Sequence, residues 1–521
     1  LAAAAIAALL VALAAVGAWV LDPRSPTTAS ASPVASTASS TVPAETSAEP
    51  RKSRESATPS SASSASPSPP ASSLTRKIDA LLERWQADQA FWGVYARDLR
   101  TGEDLYAQNA DRAFLPASNQ KLLTTATALD ALGSSYRYQT TLRFNGSTTD
   151  SVMTGDLILD GSGDPTFGSV ELRGNDPLQT WAERLYGMGV RRIDGRLIGD
   201  DNRFNDRPYP EGWDVDYITR QAGRYMGTSA SGLSYNDNVV AVKVSASRPG
   251  APPNVRLRPD GAIQIDNEAT TSSRWRGSTL QVDRIFTANT VELRGSVARS
   301  YRGTVNVPVS NPTTFALQAF VEELRQAGID TDLTIADIDD IDRTPPDGEP
   351  LFVHLSPPLS EIIAVINKRS NNFYAEQLFR TYGWGGSTRG AGKRTESFLR
   401  RAGIDTRRLL INDGSGLSRK DLITQRAMVD LLDYLSTHAD RDAFFASLPQ
   451  GGENNTTLEY RLHRVPLQAK TGSLRFVRAL SGYVQRSDGS RVAFAFFANN
   501  YTGPSYQITR TIDDVVRTLA E

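Results

Sequence analysis

Pro116-Ala117-Ser118-Asn119-Gln120-Lys121-Leu122-Leu123-Thr124-Thr125-Ala126 opens an apolar-rich run that ends at Leu132-Gly133. Its periodicity predicts a helix from Ser118 to Leu132, with Gly133 as the C-terminal stop. On such a helix residues three apart share a face, so the Ser118 hydroxyl and the Lys121 amine come within hydrogen-bond reach. A serine hydroxyl attacks a carbonyl only when a base takes its proton, and a lysine amine can do so once burial or a nearby positive charge depresses its pKa. Arginine cannot take that role. Of 57 Lys+Arg only eight are lysine, at 52, 77, 121, 243, 368, 393, 420 and 470, so a lysine three residues after a serine stands out.

Two further patterns lie downstream, Ser370-Asn371-Asn372 and Lys470-Thr471-Gly472-Ser473. Ser370 offers a hydroxyl for proton relay, and Asn372 offers an amide to orient both the lysine and a substrate carbonyl. Lys470 supplies a positive charge beside Lys121. Together with Thr471 and Ser473 it suits a substrate carboxylate, while Gly472 keeps its strand face open to a ligand backbone. The backbone N–H groups of Ser118 and Ser473 are candidate oxyanion donors, helped by the helix N-terminus. The three patterns describe a serine acyl-transfer site that needs no histidine.

Other chemistries lack parts. The chain has three histidines (354, 438, 463), no Gly-x-Ser-x-Gly elbow and no His-Glu-x-x-His pair, which leaves Ser-His-Asp and zinc mechanisms without support. The absence of cysteine removes disulfides, thiolate nucleophiles and thiolate metal sites. Asp200, Asp201, Asp237 and the run Asp337 to Asp342 read as turns and a solvated loop, so neither a metal nor a cofactor is expected. A net charge of -1 argues against nucleic acid as a partner.

Around these patterns the 521 residues divide by composition. Residues 1–21 are uncharged and apolar, a signal peptide with Val16-Gly17-Ala18 as a cleavage candidate or an uncleaved membrane anchor. Either reading sends the protein out of the cytoplasm, to the periplasm or cell envelope. Residues 22–73, dominated by Ser, Ala, Thr and Pro with a basic cluster at Arg51, Lys52 and Arg54, read as a disordered linker. Folded sequence begins at Leu74 with Leu74, Ile78, Leu81, Leu82 and Trp85 at helical spacing. A hairpin follows over 93–99 and 103–108.

Helices are expected over 359–368, 373–382 and 507–519, and strands over 467–473, 479–485 and 492–499. Residues 74–143 and 313–521 therefore form one domain of helices against an antiparallel sheet. Residues 144–312, rich in Gly, Asp, Asn and short β-type runs such as 239–244, 255–257 and 290–293, read as an insertion.

From residue 74 to 521 the chain resembles the class C low-molecular-mass penicillin-binding proteins, serine D-Ala-D-Ala carboxypeptidases and endopeptidases. The resemblance rests on the three patterns and on the separation of 252 positions from Ser118 to Ser370. It also rests on Gly163-Asp164-Pro165-Thr166, Gly212-Trp213, Asn236-Asp237-Asn238 and Asp413-Gly414-Ser415-Gly416-Leu417-Ser418-Arg419.

The resemblance implies an α/β (α+β) transpeptidase-like domain of the serine β-lactamase kind, interrupted by a β-rich insertion that forms two further subdomains. It implies that Ser118 attacks the bond between two D-alanines of a peptidoglycan stem peptide, with Lys121 as base, and that β-lactams acylate the same serine. Cleavage of D-alanyl cross-links is implied as well. Arg419 and Asp216 carry over as substrate-binding positions. Arg475 departs from the uncharged polar residue expected after Lys-Thr-Gly-Ser, which affects the preference for stem-peptide side chains. The competing readings are a wall-binding scaffold that has lost turnover and a β-lactamase.

Overall fold

The computed structural model describes residues 72–84, 87, 89–172, 174–205, 207–219, 227–286, 288–341 and 348–521. The expected export segment and all but the last two residues of the expected linker lie outside these residues, as does Trp85. Among the described residues no helix is long and apolar enough to cross a membrane.

The run Arg491–Asn499 explains how the main domain is layered. Between these two polar ends Val492 to Ala498 is apolar without interruption and buried, as a strand covered on both faces must be. Successive side chains point to opposite faces: Ala493, Ala495 and Phe497 enter one core, and Val492, Phe494, Phe496 and Ala498 another. Five antiparallel strands form this sheet in the order Leu467–Leu474, Val477–Gln485, Arg491–Asn499, Phe91–Asp98 and Asp104–Gln108.

One face is covered by the helices Ser73–Leu82 and Ser505–Ala520, the latter burying Ile508, Ile512, Val515, Val516 and Leu519 as its spacing predicts. The other face carries the helical layer that holds Gln120–Leu132, Leu359–Lys368, Asn372–Tyr382, Thr388–Arg401 and Gln425–Ser436. Both chain ends thus build one domain, with Leu467–Leu474 at the edge of its sheet.

The inserted region is wider than the expected 144–312. Its largest sheet has the order Asp330–Asp337, Arg192–Asp200, Val152–Asp160, Gln139–Thr149 and Glu349–Leu355. A cut at 144 would divide Gln139–Thr149, and a cut at 312 would strip away the helix Pro312–Gln326 and two strands. Phe315, Phe320 and Leu324 of that helix share a core with Leu142, Trp181 and Phe352. The outer boundary was not legible because its strands pair across long separations, which leave no local periodicity. Beyond this sheet lie smaller ones built from Val239–Ser245, Asn254–Arg256 and Arg302–Pro308, from Gln264–Asn267, Gln281–Arg284 and Thr290–Arg294, and from Thr270–Thr271 with Ser296–Val297.

Candidate active site

Ser118 sits on a short 3-10 turn, Ala117–Asn119, and the α-helix proper begins at Gln120. The expected helix therefore starts two residues late, and the serine projects from the turn that feeds it. The turn is fixed from three sides. The Asn119 side-chain amide donates to the Lys470 carbonyl at 3.2 Å, and the Gln120 amide donates to the Asp413 carbonyl at 3.1 Å. Gly472 lies so close that a Cβ there would come within 2.8 Å of both the Asn119 amide and the Pro116 carbonyl. The sequence reading gave that glycine an open strand face, whereas in the structure it lets the edge strand press against the serine turn.

Lys121 is fully buried at the centre. Its Nζ donates to Ser118 Oγ at 3.0 Å, Asn372 Oδ1 at 2.7 Å and the Ser415 carbonyl at 2.6 Å. Burial lowers its pKa from the ordinary lysine value to about 7, against the opposing pull of the Asp413 and Glu376 carboxyls. Lys470, equally buried, donates to Ser370 Oγ at 2.9 Å and to the Thr471 carbonyl at 3.0 Å. Burial, and then the charge of Lys121, push its pKa well below the ordinary value. Ser370 holds a left-handed backbone (φ 57°), and Asn371 caps the helix Asn372–Tyr382 by accepting from the Tyr374 N–H at 3.0 Å. Asn372 spends its oxygen on Lys121, while its buried Nδ2 has no partner in the protein.

The three sequence patterns therefore meet in one place, linked by Lys121 and Lys470. Thr471 is nearly buried and Ser473 is exposed on the edge strand. The three histidines take no part. His354 approaches the buried Asp164 at 3.7 Å, His438 accepts the Asp440 N–H at 3.1 Å, and His463 packs beside Gly452.

A layer of buried charge beneath the site escaped the sequence reading. Asn372, Glu376 and Arg380 recur every four residues on one helix face, which is the signal that could have revealed them. Glu376 Oε1 accepts the N–H groups of Gly414 and Ser415 at 3.0 and 2.7 Å. Burial, followed by the Asp413 charge, raises its carboxyl pKa to about 8. Arg380 reaches the Asn205 and Arg207 carbonyls in the inserted region.

Asp413 organises the loop after it, accepting the N–H groups of Gly416 and Ser418, the Ser415 hydroxyl and the Trp213 indole N–H at 2.7–3.1 Å. This loop delivers the Ser415 carbonyl to Lys121. Gly416 (φ +80°) passes so near the serine turn that a Cβ would lie 1.9 Å from the Ala117 carbonyl oxygen.

The inserted region forms one wall of the site. The Arg419 N–H donates to the Gly212 carbonyl at 2.9 Å, Ser418 Oγ to the Glu211 carbonyl at 2.7 Å, and Lys420 pairs with Glu211 at 2.7 Å. The Arg419 guanidinium meets Asp214 at 3.3 Å and the Arg475 carbonyl at 2.9 Å. Asp216, chosen from sequence, is exposed in the first turn of the short helix Val215–Thr219. Arg475 places its guanidinium over the Phe476 ring.

Residues 74–520 match the model of the D-Ala-D-Ala carboxypeptidase 3 (S13) family. A D-alanyl-D-alanine carboxypeptidase of Actinomadura sp. (strain R39) is 33% identical, the alignment covering 83% of this chain and 82% of the relative. The D-alanyl-D-alanine carboxypeptidase DacB of Haemophilus influenzae is 26% identical, over 79% and 85% of the two chains. The crystal structure of penicillin binding protein 4 (dacB) from the same organism superposes with a TM-score of 0.72 at 23% identity, covering 85% of this chain and 99% of that one. At that identity the superposition shows the fold.

Proposed function

The chain belongs to the D-Ala-D-Ala carboxypeptidase 3 (S13) family of serine carboxypeptidases, and on that premise we propose that Ser118 is its nucleophile and Lys121 its base. The observation that carries this assignment is the Lys121 amine, buried, lowered to about 7 and 3.0 Å from Ser118 Oγ. A neutral amine accepts the hydroxyl proton as Oγ bonds to the carbonyl carbon between the two D-alanines. The developing oxyanion is held by the backbone N–H groups of Ser118 and Ser473. The unpartnered Asn372 Nδ2 is available to a peptide carbonyl of the substrate.

Collapse breaks the C–N bond, and the departing D-alanine nitrogen takes the proton back from Lys121 through Ser370. Water then hydrolyses the ester and restores the Ser118 hydroxyl. The terminal carboxylate of the substrate binds Lys470, Thr471 and Ser473. That carboxylate favours a protonated Lys470, and repulsion between the two amines then keeps Lys121 neutral. Arg419, paired with Asp214, and Asp216 two residues beyond that partner face the side chain of the stem peptide. The site takes peptidoglycan stem peptides as substrates and β-lactams as covalent inhibitors, in the periplasm or cell envelope. D-alanyl cross-links enter along the same open edge strand.

The test uses purified protein and a fluorescent penicillin. Wild type should be labelled covalently and Ser118→Ala should not; undiminished labelling of that variant would sink the assignment. Digestion of purified peptidoglycan should release D-alanine and, for the endopeptidase activity, uncrosslinked muropeptides. Labelling without either product would favour a wall-binding scaffold, and rapid nitrocefin turnover a β-lactamase.

A further inference from the structure

In the inserted region a cavity of about 1090 Å³ opens between the helix Pro312–Gln326 and the strands Val239–Ser245 and Asn254–Arg256. None of the site residues described above lines it. Its strand side presents Lys243 and Arg256, with Arg258 just beyond, and its helix side presents Glu322 and Glu323. Lys243 and Arg256 are direct partners across an antiparallel pair, so both side chains leave the same face of the sheet. Like charges in that register destabilise a sheet.

Among the described residues no ion pair or side-chain hydrogen bond engages Lys243 or Arg256, while Arg258 already feels the Glu323 carboxylate across the cavity. Other arginines of this region do pair: Arg192 with Asp194 and Asp330, Arg196 with Asp156, Arg294 with Glu268 and Glu292. A second hollow of about 690 Å³ continues from the first past Lys243 and Arg256 to Arg302. Two concentrated, unneutralised cations are therefore held together at the mouth of a cavity whose far wall is acidic. Its volume sits at the upper end of ordinary ligand sites.

The cavity also adjoins the catalytic shell through the four residues 168–171. Gly168 and Val170 line it, while Ser169 and Glu171 turn the other way. Ser169 Oγ accepts the Tyr374 hydroxyl at 2.8 Å, and Glu171 pairs with Arg369, the neighbour of Ser370. The segment that lines the cavity thus also touches Arg369 and Tyr374, on either side of the second catalytic pattern.

We propose that this cavity is a second, non-catalytic binding site for a peptidoglycan stem peptide, taking carboxylates on Lys243, Arg256 and Arg258 and an amine on Glu322 and Glu323. The inference rests on peptidoglycan being the substrate. A stem peptide carries both kinds of charge, whereas a phosphate polymer would meet an acidic wall. Because stems recur along the polymer, two sites on one protein make the second contact intramolecular and raise retention without any change at Ser118.

The test pellets benzylpenicillin-acylated protein with peptidoglycan sacculi stripped of wall phosphate. The wild-type acyl-enzyme should pellet, and the double variant Lys243→Glu/Arg256→Glu should bind at least about tenfold more weakly. Lys243→Gln/Arg256→Gln should weaken binding less. Both variants should be labelled by fluorescent penicillin at the wild-type rate, which shows an intact fold and catalytic site. If charge reversal prevents labelling, the neutral pair decides the matter. Undiminished pelleting of the correctly folded variants would overturn the proposal, and so would a loss seen only with sacculi that retain wall phosphate. Failure of penicillin to label wild type would instead refute the assignment of Ser118.

Discussion

The two halves of the molecule bury charge to different extents. In the domain built from the chain ends, Lys121, Lys470, Glu376, Arg380, Asp413 and Asp421 are all fully buried, and backbone groups satisfy most of their hydrogen bonds. In the inserted region, pairs such as Arg196–Asp156 and Arg294–Glu268 sit near the surface, where solvent screens them. Burial penalises the charged form of every group it covers, so the lysines are pushed down and Glu376 up. The difference teaches that desolvation, more than ion pairing, shifts the titration of the groups around Ser118.

The comparison breaks most readily at Lys121. Lys121→Arg keeps a cation but removes the only form able to accept the serine proton, and penicillin acylation should fall on the order of 10²–10⁴-fold in stopped-flow labelling. An acylation rate near wild type would show that a neutral amine is not required.

Next in size is Glu376. Burial shifts the carboxyl towards its neutral form, so Glu376→Gln should retain most of the stability and labelling. Glu376→Ala strands the N–H groups of Gly414 and Ser415 and should cost about 2–5 kcal/mol by urea unfolding. Equal losses in both variants would mean that the charge matters rather than the hydrogen bonds.

The pH profile follows. The Lys121 pKa is depressed, so the amine becomes neutral as pH rises through about 7, and the acylation rate should climb about tenfold per unit below that point and flatten above it. The same shift means the unfolded chain binds more protons between about 7 and 10.5, so this group's contribution to stability increases with pH over that window. A rate independent of pH from 5 to 8 would contradict the assignment. The smallest effect belongs to the other half: Asp156→Ala breaks the pair with Arg196 and should change the labelling rate by less than about twofold.

Much of the catalytic half was legible because its signals are local. The capped helix after Ser118, the apolar run of Arg491–Asn499 and the glycine inside Lys470–Ser473 each carry their own period or spacing. Glu376 and Arg380 were hidden by a helix whose remaining face is apolar, although their fourfold spacing from Asn372 was present in the chain. Asp214 went unread because its position opposite Arg419 depends on how the inserted region folds back over Gly212. The outer strands of that region depend on partners far away in sequence, so its limits at 139 and 355 could not be seen from either side.

The first strand of the main sheet, Phe91–Asp98, takes its inner neighbour from Arg491–Asn499, so the sheet stays open until that distant strand has been made. Closing so long a loop slows the pairing of these two strands. On the proposed assignment of Ser118, a chain without that strand is expected to be inactive, a safeguard against early activity. Truncation before Arg491 should leave a chain that no penicillin labels, and labelling of that fragment would remove this safeguard from the account.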